Sequence, residues 1–188
     1  MKLTRSRGRM LAAIAIASAA ILLPAVALAS SAGATTGAAP AISRCLVTQV
    51  TPWLGIPGDQ SAGSTTYQLE ISNISGRSCT LYGYPGVLAT RDTSQLGSPA
   101  GRDSSHPSRL LTLRPGFTVH VILRIADVYN YTPATCKPEQ ATSLRVYAPG
   151  DFGSHYIPFT FEACSKKGPV YLDVTTAISG TGVPLYSH

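Results

Sequence analysis

The chain has 188 residues and a formal net charge of +6, with 44% apolar residues and only 13% charged ones. Four of its 15 lysines and arginines (Lys2, Arg5, Arg7, Arg9) lie at the extreme N-terminus, so the remainder holds 11 basic against 9 acidic residues, a net +2. The arginines of that remainder, from Arg44 to Arg145, are scattered, whereas a nucleic-acid surface gathers them on one face.

Residues 1–29 read as a cleaved secretory signal. A basic start precedes the apolar run Leu11–Leu23, broken only by Ser18, and Pro24 and Ala27-Leu28-Ala29 then supply a helix breaker and a small-x-small cleavage pattern. That run of 13 residues is short of the roughly 20 that a bilayer span needs, so no stable membrane insertion is expected after cleavage. Residues 30–43, "SSAGATTGAAPAIS", are small and uncharged and read as a flexible spacer. A single domain is expected over 44–180, with a tail at 181–188. The expected destination is secreted or associated with the cell envelope.

Four cysteines remain after the signal: Cys45, Cys79, Cys136 and Cys164. An even count in an exported chain reads as two disulfides, and the wide spacing holds no C-x-x-C pair for zinc or redox work. Three pairings are open. Cys45–Cys79 with Cys136–Cys164 is favoured, each closing a loop of about 30 residues worth roughly 3–4 kcal/mol of unfolded-chain entropy.

From Arg44 onward apolar residues recur with a period of two, the signature of strands with one buried face. Cys45–Thr51 is a first short candidate. In "YQLEISNI", Tyr67, Leu69 and Ile71 face inward while Gln68, Glu70 and Ser72 face water. Thr80–Tyr82, Val87–Thr90 and Arg109–Leu113 are further short candidates. "FTVHVILRI" turns Phe117, Val119, Val121, Leu123 and Ile125 inward, and Leu144 with Val146 and Leu172 with Val174 repeat the pattern. In "YIPFTF", Ile157, Phe159 and Phe161 share one side, and Pro158 argues for an edge strand. Glycine- and proline-rich connections such as "GIPGDQSAGS", "RPG" and "APGDFGS" punctuate these runs. The fold expected is all-β: an immunoglobulin-like antiparallel β-sandwich of two sheets with two disulfides, and at most a short helical turn within Pro133–Gln140.

The order of an early cysteine (Cys45), "LEISNISGRSCTLYGYPGV", "LTLRPG", Cys136 ahead of "LRVYAP", and Cys164 before a last strand is similar to a secreted actinobacterial family catalogued as a domain of unknown function, number 4232. The resemblance runs from about Arg44 to Ile178, and the segment from Asn73 through Cys79 to Val87 is its most specific part. Where that family often carries an aspartate-glycine turn after "GYPGV", this sequence shows only Asp92 and Gly97. The resemblance implies export, a β-sandwich, paired cysteines and an actinobacterial source; it implies no activity.

Catalytic signals are weak. No G-x-S-x-G elbow and no S-x-x-K order is present, and most of the nine carboxylates fall singly on strand exteriors or turns. His106, His120, His155 and His188 show neither ligand spacing nor an adjacent carboxylate, so no metal and no cofactor is expected. The surface feature singled out is a set of aromatics in or beside loops: Trp53, Tyr129, Tyr131, Phe152 and Tyr156. Such rings supply rigid, amphipathic contact area. The expected function is therefore a non-enzymatic exported module that binds a protein, glycan or envelope component through its loops, with no nucleic-acid partner. The alternatives are a cell-envelope hydrolase with dispersed catalytic residues and a metal-scavenging module.

Overall fold

The computed structural model describes residues 41–61 and 63–182. The expected signal at 1–29, most of the expected spacer at 30–43 and the tail beyond Gly182 lie outside the described residues. In chain order the strands are β1 (Val50–Ser61), β2 (Ser64–Asn73), β3 (Cys79–Tyr82), β4 (Gly86–Arg91), β5 (Ser94–Leu96), β6 (Gly101–Arg102), β7 (Leu110–Leu113) and β8 (Thr118–Ala126). A single 3-10 turn, Val128–Asn130, and a one-turn helix α1 (Pro133–Cys136) follow. The chain then returns to strands β9 (Pro138–Tyr147), β10 (Ser154–Cys164), β11 (Leu172–Val174) and β12 (Ile178–Ser179).

One sheet has the order β1-β2-β8-β11-β6, with β12 also paired to β8; a second has the order β10-β9-β4-β5; β3 and β7 pair with each other. The alternation of side chains decides what lies between the sheets. Leu69 and Ile71 of β2, Val121 and Leu123 of β8, Val87 and Ala89 of β4, and Leu144 and Val146 of β9 are all buried in one core. Tyr67 of β2 meets Phe159 of β10 edge-on at 5.0 Å, bringing one sheet onto the other. Tyr171 is fully enclosed, with its hydroxyl directed at the Leu96 carbonyl (3.4 Å), and burial pushes its phenol well above the usual range.

The disulfides are Cys45–Cys79 and Cys136–Cys164, the favoured pairing. Pro158 does lie in an edge strand, since β10 ends its sheet and slips register between Pro158 and Phe161. The hairpin after "GYPGV" closes without an aspartate-glycine pair: Asp92 itself takes the left-handed conformation (φ 55°) between paired Arg91 and Ser94. A short polar side chain tolerates that conformation better than most.

Several expectations are corrected. The sheets are not purely antiparallel, because β6 runs parallel to β11, with Gly101 opposite Asp173 and Arg102 opposite Val174. No tight hairpin joins these two strands, so no turn imposes the antiparallel direction on them. Cys45–Thr51 is not a strand; residues 47–49 form a turn and β1 begins at Val50. "GIPGDQSAGS" is not a loop but largely the continuation of β1 to Ser61, with register shifts flanking Pro57. An edge strand absorbs proline and bulges because one side of its backbone has no ladder to break. Phe117 is exposed, since it belongs to the turn before β8 rather than to the strand. Gly97 explains how β5 approaches the second disulfide: its φ is 63°, and a Cβ there would stand 2.3 Å from the Cys164 carbonyl oxygen.

Candidate functional site

The strand directions sort the loops into two ends, each anchored by one disulfide. At the Cys45 end, four loops are sewn together by hydrogen bonds: 46–49, 73–78, 114–117 and 150–153. Gln49 accepts from the Ile74 N–H (2.9 Å), the Asn73 N–H donates to the Phe117 carbonyl (2.9 Å), and Gly116 N–H donates to the Asn73 carbonyl (2.9 Å). The Val47 N–H donates to Asp151, whose other carboxylate oxygen accepts from the N–H groups of Phe152 and Gly153. Arg44 donates to the Gly150 carbonyl (2.7 Å) and His155 Nε2 to the Val47 carbonyl (2.8 Å).

Asn73 is the hub of this end. It is 1% exposed, its amide donates to the Arg77 carbonyl (2.8 Å) and the Leu113 carbonyl (2.9 Å), and its Oδ1 accepts from both Ser75 N–H (2.9 Å) and Ser75 Oγ (2.7 Å). Every polar atom of the side chain is used. The specific "NISGRSC" stretch is thus a covalent and hydrogen-bonded corner built around Asn73. From it and its neighbours four large apolar side chains project into solvent, one from each loop: Leu46, Ile74, Phe117 and Phe152, the last 95% exposed.

The Cys136 end is built differently. Asp127 caps the 3-10 turn by accepting from Tyr129 N–H (2.9 Å), and Asn130 donates to the Gly63 carbonyl (2.8 Å), tying this turn to the β1–β2 connection. Thr132 caps α1, and Tyr131 donates its hydroxyl to the Val170 carbonyl (3.0 Å) while its ring packs on the core. Between the sheets here opens a cleft of about 420 Å³, walled by Tyr67 and Phe161 and bearing Asp127 and Glu162.

The five aromatics singled out from sequence do not share one surface. Tyr129 and Tyr131 belong to the Cys136 end and Phe152 to the Cys45 end. Trp53 and Tyr156 are not in loops at all: they belong to β1 and β10, where the strands run further than the glycines and prolines indicate. Trp53 Nε1 donates to Ser72 Oγ (3.0 Å) on the outer face of the first sheet. Tyr156 and Tyr147 both lie against the Arg145 guanidinium, at 5.5 and 5.1 Å, on the second.

Glu70, expected to face water, is 1% exposed. Its strand is second from the sheet edge, so Trp53 of β1 and His120 of β8 stand directly opposite it on either side. The segment after β12 then crosses over: His120 Nδ1 donates to the Gly180 carbonyl (2.8 Å), and Gly182 N–H donates to Glu70 Oε1 (2.8 Å). Glu70 Oε2 and Gln68 Oε1 have no hydrogen-bond partner. Burial raises the Glu70 carboxyl above the usual range, against the opposing pull of the Gly182 N–H and His120. A carboxylate beside a histidine was not legible from spacing, because register alone brings residues 50 apart in the chain together. Among the described residues, no three His, Cys, Asp or Glu side chains group as metal ligands.

Among the described residues, a serine–histidine contact occurs at 105–106. Ser105 Oγ lies 3.0 Å from His106 Nδ1, and Asp103 accepts from the Ser105 N–H (2.9 Å). The Ser105 N–H, then its hydroxyl, hold the Asp103 carboxyl below the usual range. Beside them an apolar groove of about 400 Å³ is lined by His106, Pro107, Arg109, Leu111 and Ile178, among others. The serine stands between acid and base here, whereas a hydrolytic triad needs the histidine in the middle. The D-x-S spacing is the sequence signal for this turn.

The family model for a domain of unknown function, DUF4232, matches residues 45–177, which takes in both disulfides and all the described residues except 41–44 and 178–182. The chain belongs to the DUF4232 family. No curated protein matches the chain. The match gives the DUF4232 domain its extent, and the geometry above gives it two chemically distinct ends. No helix among the described residues is long and apolar enough to cross a membrane.

Proposed function

We propose that this DUF4232 domain is an exported, non-enzymatic, immunoglobulin-like β-sandwich that binds an extracellular or cell-envelope partner through the loops of its Cys45 end. Support for the sandwich comes from two sheets facing each other over one core. Support for export comes from the two disulfides, which belong to oxidising compartments. The observation that carries the binding reading is the projection of Leu46, Ile74, Phe117 and Phe152 from four mutually hydrogen-bonded loops. Exposed single apolar residues are ordinary; four on one hydrogen-bonded tip support a contact surface. Affinity capture from the envelope of the producing organism, with the processed protein as bait, tests this. Capture is expected with the parent and lost with the double variant Ile74→Ser/Phe152→Ser; equal capture by both overturns the assignment of this end.

A second reading, an envelope hydrolase with Ser105 as nucleophile and His106 as its base, rests on their 3.0 Å contact beside the apolar groove, with Asp103 outside the catalytic relay. It requires ester or amide hydrolysis that disappears in Ser105→Ala while the melting temperature holds. Retained hydrolysis in that variant removes this reading.

A further inference from the structure

We infer that the Cys45 end docks onto an anionic lipid surface, an inference that rests on the binding reading above and names the chemistry of its partner. Two independent features of the tip lead there. The first is shape. Leu46, Ile74, Phe117 and Phe152 each project from a separate loop, and none of them lines the clefts described above or the neighbouring cavity formed by Arg44, Tyr82, Leu110 and Gly150. A protein partner would have to be shaped to all four projections at once. A bilayer receives them all without a matched pocket, since apolar side chains enter the boundary between headgroups and acyl chains wherever they meet it.

The second feature is charge. The four loops and the residue leading into them carry Arg44, Arg77 and Arg114, all exposed, and none of the three forms an ion pair among the described residues. Arg114 lies over the Phe117 ring at 6.0 Å, a cation beside a projecting apolar group. The only acid in the loops is Asp151, and its carboxylate is occupied by the N–H groups of Val47, Phe152 and Gly153. An apolar tip rimmed by guanidinium groups that have no carboxylate partner among the described residues, Arg77 and Arg114 free and Arg44 held to the Gly150 carbonyl, places those groups at headgroup level, where anionic phosphates attract them. The hydrogen bonds among the loops, together with Asn73 and the Cys45–Cys79 link, hold this arrangement before any surface is met, so little ordering remains to oppose binding.

Vesicle co-sedimentation of the processed protein tests the inference. Vesicles of phosphatidylcholine mixed with phosphatidylglycerol are expected to bind it, and pure phosphatidylcholine vesicles to bind it far more weakly. Added salt should weaken the binding to the mixed vesicles. Phe152→Ser should reduce partitioning about tenfold, with the melting temperature confirming an unchanged fold. Arg77→Gln/Arg114→Gln should reduce it by about 25-fold on the mixed vesicles and leave the residual binding to neutral ones unaltered. Equal binding to neutral and anionic vesicles, or no binding to either, overturns the lipid assignment. If vesicles fail while capture of an envelope protein still depends on Ile74 and Phe152, the lipid assignment falls and the binding reading stands; if both fail, both fall.

Discussion

The two ends of the domain use the same device, a disulfide that fastens loops, and arrive at opposite surfaces. At the Cys45 end the polar groups are consumed internally by Asn73, Asp151 and His155, and what is left facing outward is apolar and cationic. At the Cys136 end the turns cap themselves, Tyr131 folds back onto the core, and a cleft stays open with Asp127 and Glu162 on it. Of the cations there, Arg91 and Lys137 both pair with Glu139, at 3.2 and 3.4 Å, and Lys166 Nζ donates to the Ala134 carbonyl (2.7 Å), while Lys167 stands exposed. The difference teaches that loop composition alone does not define a contact surface. What defines it is which polar groups the loops have already spent on one another.

The largest expected effect separates the ends directly. Cys45→Ser/Cys79→Ser and Cys136→Ser/Cys164→Ser each remove a link across a similar sequence separation, 34 and 28 residues, so each should cost about 3.5 kcal/mol in urea unfolding. The first should also abolish tip binding, and the second should leave it intact under conditions where both remain folded. Identical binding losses would erase the distinction between the ends. Next, Asn73→Ala strands the carbonyls of Arg77 and Leu113 and should destabilise by about 2–3 kcal/mol, whereas Asn130→Ala at the other end, whose amide is exposed, should cost under about 1 kcal/mol. Paired chemical denaturation curves decide this.

A third test concerns pH. Because burial raises the Glu70 carboxyl in the fold, the folded state favours the protonated acid. The stability that Glu70 contributes is therefore full below the ordinary carboxylate range and declines as pH rises through its raised value. Glu70→Gln keeps an acceptor for Gly182 N–H but cannot ionise, so it should flatten that decline and raise the neutral-pH melting temperature by about 3 °C. Melts in acid and neutral buffers that fall in parallel for parent and variant would contradict this. The smallest effect is expected at Phe152→Ser, within about 0.5 kcal/mol of the parent in denaturant, because its side chain is solvated in the fold. Tyr131→Ala, by contrast, removes a ring packed on the core and should cost clearly more.

Much of the fold was legible in the chain. The two-residue period in "YQLEISN" and "VHVILRI" names the inward residues of β2 and β8, and Pro158 marks an edge. The period is local, so one strand suffices to read it. The candidate surfaces were less legible. Trp53 and Tyr156 looked like loop residues because prolines and glycines surround them, yet an edge strand with bulges accommodates those residues and carries both rings onto sheet faces. Leu46 and Ile74 carry no signal of their own, and Phe117 reads as inward, because the same period that predicts burial in a strand says nothing of where the strand ends.

By itself, then, the amino-acid order specified strands, their apolar faces and a cysteine set whose shortest pairing is the one formed, since each of these depends on neighbours close along the chain. Only the tertiary structure decided that Glu70 lies under Gly182, that β6 joins β11 in parallel, and that four loops distant in sequence present one tip. Those outcomes depend on strand order and register. Both are settled by how whole faces pack and which backbone groups find partners across the sheets.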